Sequence, residues 1–336
     1  MHGHPASVPP SRGTGAGLRS DLERSSRASG TMADGTRQAG SVAVIGSGGI
    51  GGYLAGALER AGRDVTLCVR TPFDHLVVTD ASGEREVPVR IVADPNEVGA
   101  ADWVLVTTKA QDTASAEPWF RTLVGPGTRV VVVQNGVGQA ERARPHLAEG
   151  VAVLPAIIYC SVERTAPGRI THHGSTKMSV PAGADGAAFA ELFAGTPFEI
   201  TQEQDFVTVA WRKLLSNAVV NPITALTLRR IVVFNDPAIE ELARGLMGEV
   251  IRVANAEGAR LTDGDVTRIL EGYRRMTGDG GSSMLYDRLA GRPLEHAHLT
   301  GAVVAAAERH GIDVPLNRAI LALAGAASGQ GLAGDR

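Results

Sequence analysis

The chain has 336 residues, with 33 Lys and Arg set against 36 Asp and Glu and a formal net charge of −3. That balance leaves no basic footprint for nucleic acid, and no apolar run approaches the roughly 18 residues a bilayer-spanning helix needs. The length points to two domains. Cys68 and Cys160 lie in apolar, strand-like runs without metal-type spacing. They read as small core residues in a reduced compartment, which places the protein in the cytoplasm.

Residues 1–40 are rich in Ser, Gly, Pro, Ala and Arg and nearly free of large apolar side chains. Such a segment cannot offset the entropy of ordering, and the expectation is a disordered tail with no part in chemistry.

A short apolar run, Val42 to Ile45, leads into Gly46-Ser47-Gly48-Gly49-Ile50-Gly51, then an amphipathic segment from Tyr53 to Ala61 that Gly62 stops. A second apolar run, Val65 to Val69, ends in Arg70. Strand, glycine turn, helix and strand is the setting in which G-x-G-x-x-G signals dinucleotide binding. Gly46 serves the tight turn, Gly48 lets backbone approach a pyrophosphate, and Gly51 permits close packing of helix on strand. The helix N-terminus offers N–H groups and partial positive charge to the phosphates. Arg70, at the far end of the second strand, suits the 2′-phosphate of NADPH, whereas Asp64 precedes that strand and stands at the wrong end for a ribose.

An irregular, strand-like region runs to Val92. Apolar strands at 101–108 and 129–133 follow, with a helical segment at 114–123 between them. Near-continuous apolar strands alternating with helices imply a doubly wound parallel sheet of Rossmann type. The glycine turn, Arg70, Lys109 and Asn135 all follow strand ends, so they should line one crevice at the carboxyl edge. Taken singly, Lys109 reads equally well as a surface lysine, and Asn135 before Gly136 as turn chemistry. From Val151 to Ile200 short strands suggest an antiparallel extension of the sheet. His172 and His173 are strand neighbours facing opposite ways, so a metal site there is disfavoured.

From about Asp205 the periodicity is helical. The chain divides into a nucleotide-binding domain at 41–204 and an all-helical domain at 205–330. Asn235-Asp236-Pro237 marks a helix start, and Thr262 with Asp265 a capping box. On the first helix Lys213, Asn217 and Asn221 form one polar stripe, opposite Leu214, Leu215, Ala218 and Val219. Pro222 should end or kink that helix at Asn221. Two asparagines are mediocre helix formers, so the stripe suits a neutral, polar substrate pocket better than a solvated face. Hydride attack on a carbonyl leaves charge on oxygen. A lysine ammonium, with an ordinary pKa of about 10.4, can both stabilise that charge and protonate it. No metal is needed. Glu295 reads as a partner of Lys213, as a cofactor contact, or as a surface charge near a helix start. His296 and His298 diverge on a helix and do not make a metal site.

VIGSGGIGG, Arg70, VTTKAQ, VQNGVG, WRKLLSNAVVNPITALT, SSMLYD and GRPLEHAHLTG stand in this order between Ser41 and about Ala326. Together they resemble the ketopantoate reductase (2-dehydropantoate 2-reductase) family. The resemblance implies NADPH-dependent reduction of ketopantoate to (R)-pantoate on the route to pantothenate and coenzyme A. It assigns Lys213 as proton donor, Asn217 and Asn221 to substrate hydroxyls, and Ser283 to the substrate carboxylate. Asn135 is shared by cofactor and substrate, Lys109 contacts one of them, and Glu295 is the acidic residue near Lys213 and the nicotinamide. Gly46, Ser47, Gly48, Gly49, Ile50 and Gly51 form the phosphate turn, and Ser161 is a further cofactor contact. Leu228-Arg229-Arg230-Ile231, Tyr286 and His296-Ala297-His298 depart from the family's usual residues, all at the substrate end. Two alternatives follow: a reductase of another 2-keto acid, and an NADP-binding sensor without turnover. The implied partner is a small 2-keto acid, with neither nucleic acid nor membrane, and with room for a homodimer.

Overall fold

The computed structural model describes residues 40–276 and 280–329, so all of the expected tail except Gly40 lies outside the described residues. The first half contains β1 (Val42–Ile45), α1 (Gly49–Arg60), β2 (Val65–Cys68), β3 (Leu76–Asp80), β4 (Gly83–Val87), β5 (Arg90–Val92), β6 (Trp103–Val106), α2 (Glu117–Leu123) and β7 (Arg129–Val132). It continues with α3 (Gln139–Ala143), β8 (Ala152–Pro155), β9 (Ile157–Ala166), β10 (Arg169–Pro181), α4 (Ala184–Leu192) and β11 (Glu199–Glu203).

Six strands form a parallel sheet in the order β5-β2-β1-β6-β7-β8. The chain starts in the middle, builds outward to β5, then returns past β1 to build the other side. This is the doubly wound order, with its topological switch between β1 and β6. Both faces are covered, which explains the unbroken apolar runs. Val42 and Val44 pack with Leu54 and Leu58 of α1, while Ala43 and Ile45 pack with Trp119, Phe120 and Leu123 of α2.

The region expected to extend this sheet in antiparallel fashion does so only through its first strand, and that strand is parallel. β8 is its sixth parallel strand, and the long β9–β10 hairpin belongs to a second sheet with β3, β4 and β11. In that sheet β10 runs parallel to both β3 and β11. The second sheet packs on the α1 side, where Ile170 and Met178 join the core containing Leu54 and Val44.

The second half is helical: α5 (Phe206–Thr227), α6 (Pro237–Ala256), α7 (Asp263–Arg275), α8 (Ser283–Leu289), α9 (Thr300–His310) and α10 (Pro315–Ala327). The expected signals are in place. Asp236 caps α6 through Ala238 N with Pro237 behind it, Thr262 and Asp265 make the capping box of α7, and Gly311 closes α9 at φ 63°.

Pro222 does not end α5, which runs on to Thr227. A proline there removes the N–H that would serve the carbonyl four residues earlier. That carbonyl belongs to Ala218 and accepts instead from Thr300 Oγ1 of α9 at 3.3 Å. The next turn is reinforced by Thr224 Oγ1, which donates to Val220 O at 2.8 Å. Tertiary contacts thus satisfy the group that the local rule leaves bare.

Candidate active site

The glycine turn opens at the carboxyl end of β1. Gly46 has φ +107°, a conformation side chains rarely adopt. Thr107, just past β6, donates through Oγ1 to Ile45 O and Gly46 O, both at 2.9 Å, and so ties the turn to the switch point. A Cβ on Gly51 would stand 1.9 Å from Gly46 O, so α1 can lie this close to the turn only without one. At Gly48 a Cβ would meet nothing within 4 Å. No side chain caps α1 and no acidic residue sits in its first turn. The result is an open cradle with a bare helix N-terminus, the arrangement that receives a pyrophosphate. Gly48→Ala should therefore leave the melting temperature of the free protein within about 2 °C, the range of a neutral surface change. It should weaken dinucleotide binding at least tenfold, because the added methyl occupies space the phosphates need. Gly51→Ala should lower both. Thermal melts with and without dinucleotide separate the two effects.

Around this cradle the residues singled out in the sequence fall as follows. Arg70 is exposed two residues beyond β2. Ser47 and Ile50 are half-buried in the turn, and Gly49 faces Val162 of β9, with Ser161 exposed next to it. Asn135 follows β7 and is half-buried; Asn217 of α5 reaches it, Nδ2 donating to Oδ1 at 3.5 Å. Asn217 and Asn221 are buried, with 8% and 4% exposure, and Lys213 is half-buried one turn away. The stripe therefore faces inward, against the carboxyl edge of the sheet. Ser283, the first residue of α8, is exposed, while Ser282 caps that helix through Leu285 N.

Lys109 follows the end of β6, as its place in the sequence implied, and there it meets Glu295. Lys109 Nζ donates to Glu295 Oε2 at 2.9 Å and to Asp287 Oδ2 at 2.8 Å. Glu295 Oε1 accepts from Ala110 N at 3.2 Å, and Arg292 Nε reaches Asp287 Oδ1 at 2.9 Å. The partner of Glu295 is thus Lys109, not Lys213. The reason is the short 295–298 helical turn, which packs on the segment after Lys109. Burial pulls the Lys109 pKa down, but Glu295 and then Asp287 outweigh it and hold the ammonium above its ordinary value.

Lys213 is the opposite case. Its Nζ lies 4.6 Å from the centre of the Tyr159 ring, and among the described residues no hydrogen bond or ion pair reaches it. Burial lowers its pKa to about 8, opposed only by Cys160. The crevice therefore holds one lysine from the sheet half, kept charged by two carboxylates, and one from the helical half whose charge is poorly supported. A proton-transfer group works best with a pKa near the working pH, so Lys213 is the better suited of the two.

Several residues of this region were not singled out in the sequence. Gln134 is 4% exposed; its Nε2 donates to Thr113 Oγ1 and Thr108 Oγ1, and its Oε1 accepts from Arg142 Nη1 at 2.9 Å. Gln139 Nε2 donates to Gln134 O and Gly136 O. This buried network fixes the loop that carries Asn135. The available signal was a pair of amides flanking a glycine turn. Tyr159 carried no signal that spacing could reveal. Among the described residues no group of three or more His, Cys, Asp or Glu side chains is placed to hold a metal, and no helix is long and apolar enough to cross a membrane.

Sheet order, glycine cradle and buried polar stripe together define an oxidoreductase built on a Rossmann-type nicotinamide-dinucleotide fold. The family described as Ketopantoate reductase PanE/ApbA matches residues 42–185, and its C-terminal counterpart matches residues 205–328. The chain belongs to the ketopantoate reductase family. It is 39% identical over 291 residues to a 2-dehydropantoate 2-reductase of Caulobacter vibrioides, covering 86% of this chain and 99% of the relative. The solved 2-dehydropantoate 2-reductase of Geobacter metallireducens GS-15 superposes with a TM-score of 0.80 at 29% identity, over 86% of this chain and 100% of the other. A dimeric ketopantoate reductase from Staphylococcus aureus gives 0.78 at 26% identity, over 85% and 98%.

Proposed function

We propose that the protein reduces 2-dehydropantoate (ketopantoate) to (R)-pantoate with NADPH, on the route to pantothenate and coenzyme A. The observation that carries this reading is the inward-facing stripe of Lys213, Asn217 and Asn221, set against Asn135 at the carboxyl edge of a dinucleotide-type sheet.

The division of labour follows the two halves. Residues 41–204 hold the cofactor, with the Gly46–Gly51 turn at the pyrophosphate, Ser161 beside it and Arg70 at the 2′-phosphate. Residues 205–330 hold the substrate, with Asn217 and Asn221 offered to its hydroxyl groups and Ser283 to its carboxylate. The bound nicotinamide supplies the hydride. Lys213 donates the proton to the carbonyl oxygen, and its half-buried position makes both the charge and the proton more effective there than in water. Asn135 stands where the two ligands meet. Glu295 acts at the cofactor side through Lys109. Assembly as a homodimer extends the dimeric S. aureus relative to this chain, and the two free thiols, Cys68 and Cys160, suit the reducing cytoplasm.

A panel of 2-keto acids assayed with NADPH and NADH tests the reading. Ketopantoate should give the highest kcat/KM, and a clear preference for another keto acid would replace the substrate while keeping the chemistry. Tight NADPH binding with no turnover on any member of the panel would make the protein a sensor. In the same assay Arg70→Ala should weaken NADPH by about 10- to 100-fold, the worth of a hydrogen-bonded charge, and NADH by less than about twofold. Equal effects on both cofactors would remove Arg70 from the 2′-phosphate.

A further inference from the structure

Lys213 carries its charge without a carboxylate. Asp287 and Glu295 are engaged with Lys109, Arg212 of the same helix pairs with Asp265 of α7 at 2.9 Å, and Glu203 of β11 accepts from Ser179 Oγ at 3.0 Å. The titratable group that faces Lys213 is Tyr159 of β9, and its strand neighbour Cys160 lies near enough to act on the lysine electrostatically. Burial raises both, the thiol to about 12, so both are neutral wherever the enzyme works. What remains for the ammonium is the face of the Tyr159 ring, 4.6 Å away, well inside the distance at which a cation is attracted by the ring's negative face.

We propose that Tyr159 is a positioning residue for the reaction, its ring face holding the Lys213 ammonium at the crevice in place of a counter-ion. This deepens the reading of Lys213 as proton donor and rests on it. A carboxylate in contact would hold the lysine charged, as Asp287 and Glu295 do for Lys109. A purely aliphatic wall would give the charge no support at all. A ring face lies between: it favours the cation but contributes no formal charge, so the proton stays available for transfer. Position 159 is well suited to the task. β9 is paired along its length with β10, Tyr159 standing opposite Lys177, and α5 packs on both strands. The ring therefore comes from the first half of the chain and the ammonium from the second. Their contact spans the two halves at the crevice.

The chain has only three lysines, Lys109, Lys177 and Lys213, so protein labelled with 13C at lysine Cε gives three resonances to titrate by NMR. In full-length protein, Tyr159→Phe should leave the Lys213 midpoint where it is. Tyr159→Leu, apolar but without a π face, should lower it by about 0.5–1.5 pH units. The alkaline limb of the kcat profile should move with it. An unchanged or raised midpoint in the leucine variant overturns the proposal. So does a phenylalanine variant that behaves like leucine, which would assign the effect to the hydroxyl. Should the leucine variant fail to fold, stepwise fluorinated phenylalanines at 159 keep the ring's shape while weakening its face. The midpoint should then fall with each fluorine, and a flat series is the overturning result. Failure of the parent reading looks different: the NMR midpoint moves as expected while the kcat profile does not follow.

Discussion

Lys213→Met is expected to lower kcat for keto-acid reduction by about 10²- to 10⁴-fold, the usual worth of a positioned general acid. Dinucleotide affinity should change by less than about twofold, since neither the glycine turn nor Arg70 is touched. Two further observables separate this from a generic loss of activity. The first is pH. Reduction needs the ammonium, and burial has brought its pKa to about 8, so wild-type kcat should fall as pH climbs through that value. A surface lysine would hold its rate past pH 9. The second is stability. Folding lowers the pKa of Lys213, so the native state binds fewer protons than the unfolded chain between about pH 8 and the ordinary lysine value, and this group's contribution rises with pH through that window. Below it, carrying the buried charge is a cost that methionine does not have. The variant should melt at or above the wild-type temperature at neutral pH, the pattern expected where an active site trades stability for function. Near-normal turnover, or a wild-type rate flat from pH 7 to 9.5, would take Lys213 out of the mechanism.

Local chemistry made much of this architecture readable before any coordinates. Glycine positions 46, 48 and 51 announce a strand–turn–helix because their demands are local, and the structure shows those of Gly46 and Gly51. Caps at Asp236 and Thr262 are equally local. The stripe of Lys213, Asn217 and Asn221 was visible because helical periodicity turns spacing into direction. What stayed hidden is non-local. Alternating strands after Val151 declare themselves as strands, but nothing in them says which sheet they join, and β10 pairs with β3 across some ninety residues of chain. Pro222 obeys its local rule until Thr300, on another helix, takes the abandoned carbonyl. Spacing cannot connect Lys109 to Glu295, 186 residues away, nor Lys213 to the ring of Tyr159. Family resemblance did bring Lys109 and Glu295 to the crevice, but not the ion pair between them. Asp287 left one faint trace: it falls three residues after Met284, on the buried side of α8, where an aspartate needs a partner.

That partner makes Lys109→Met the second large expected effect. Asp287 and Glu295 each keep 5% exposure, and Lys109 Nζ bridges them at 2.8 and 2.9 Å. Removing one member of a buried ion pair costs about 3–5 kcal/mol, because the remaining charge is left without compensation. Lys109's side chain retains 39% of its exposure, so solvent screening brings the expected loss to about 2–3 kcal/mol. For a chain of this size that is a fall on the order of 5–10 °C in Tm. Arg292 stays on Asp287, so Glu295 bears most of the loss, with only the Ala110 N–H left to it among these contacts. The pH dependence has a definite sign. In the wild type the Lys109 pKa is raised on folding, so its contribution is present throughout the neutral range and is lost only as pH rises beyond the ordinary lysine value. The variant lacks that contribution, so its deficit should hold through the neutral range and narrow only as pH rises beyond the ordinary lysine value. Urea midpoints measured from neutral to alkaline pH decide the matter: a gap between wild type and variant below about 1 kcal/mol at neutrality, or one that does not narrow at alkaline pH, would mean that the bridge contributes little to joining the sheet edge to the helices.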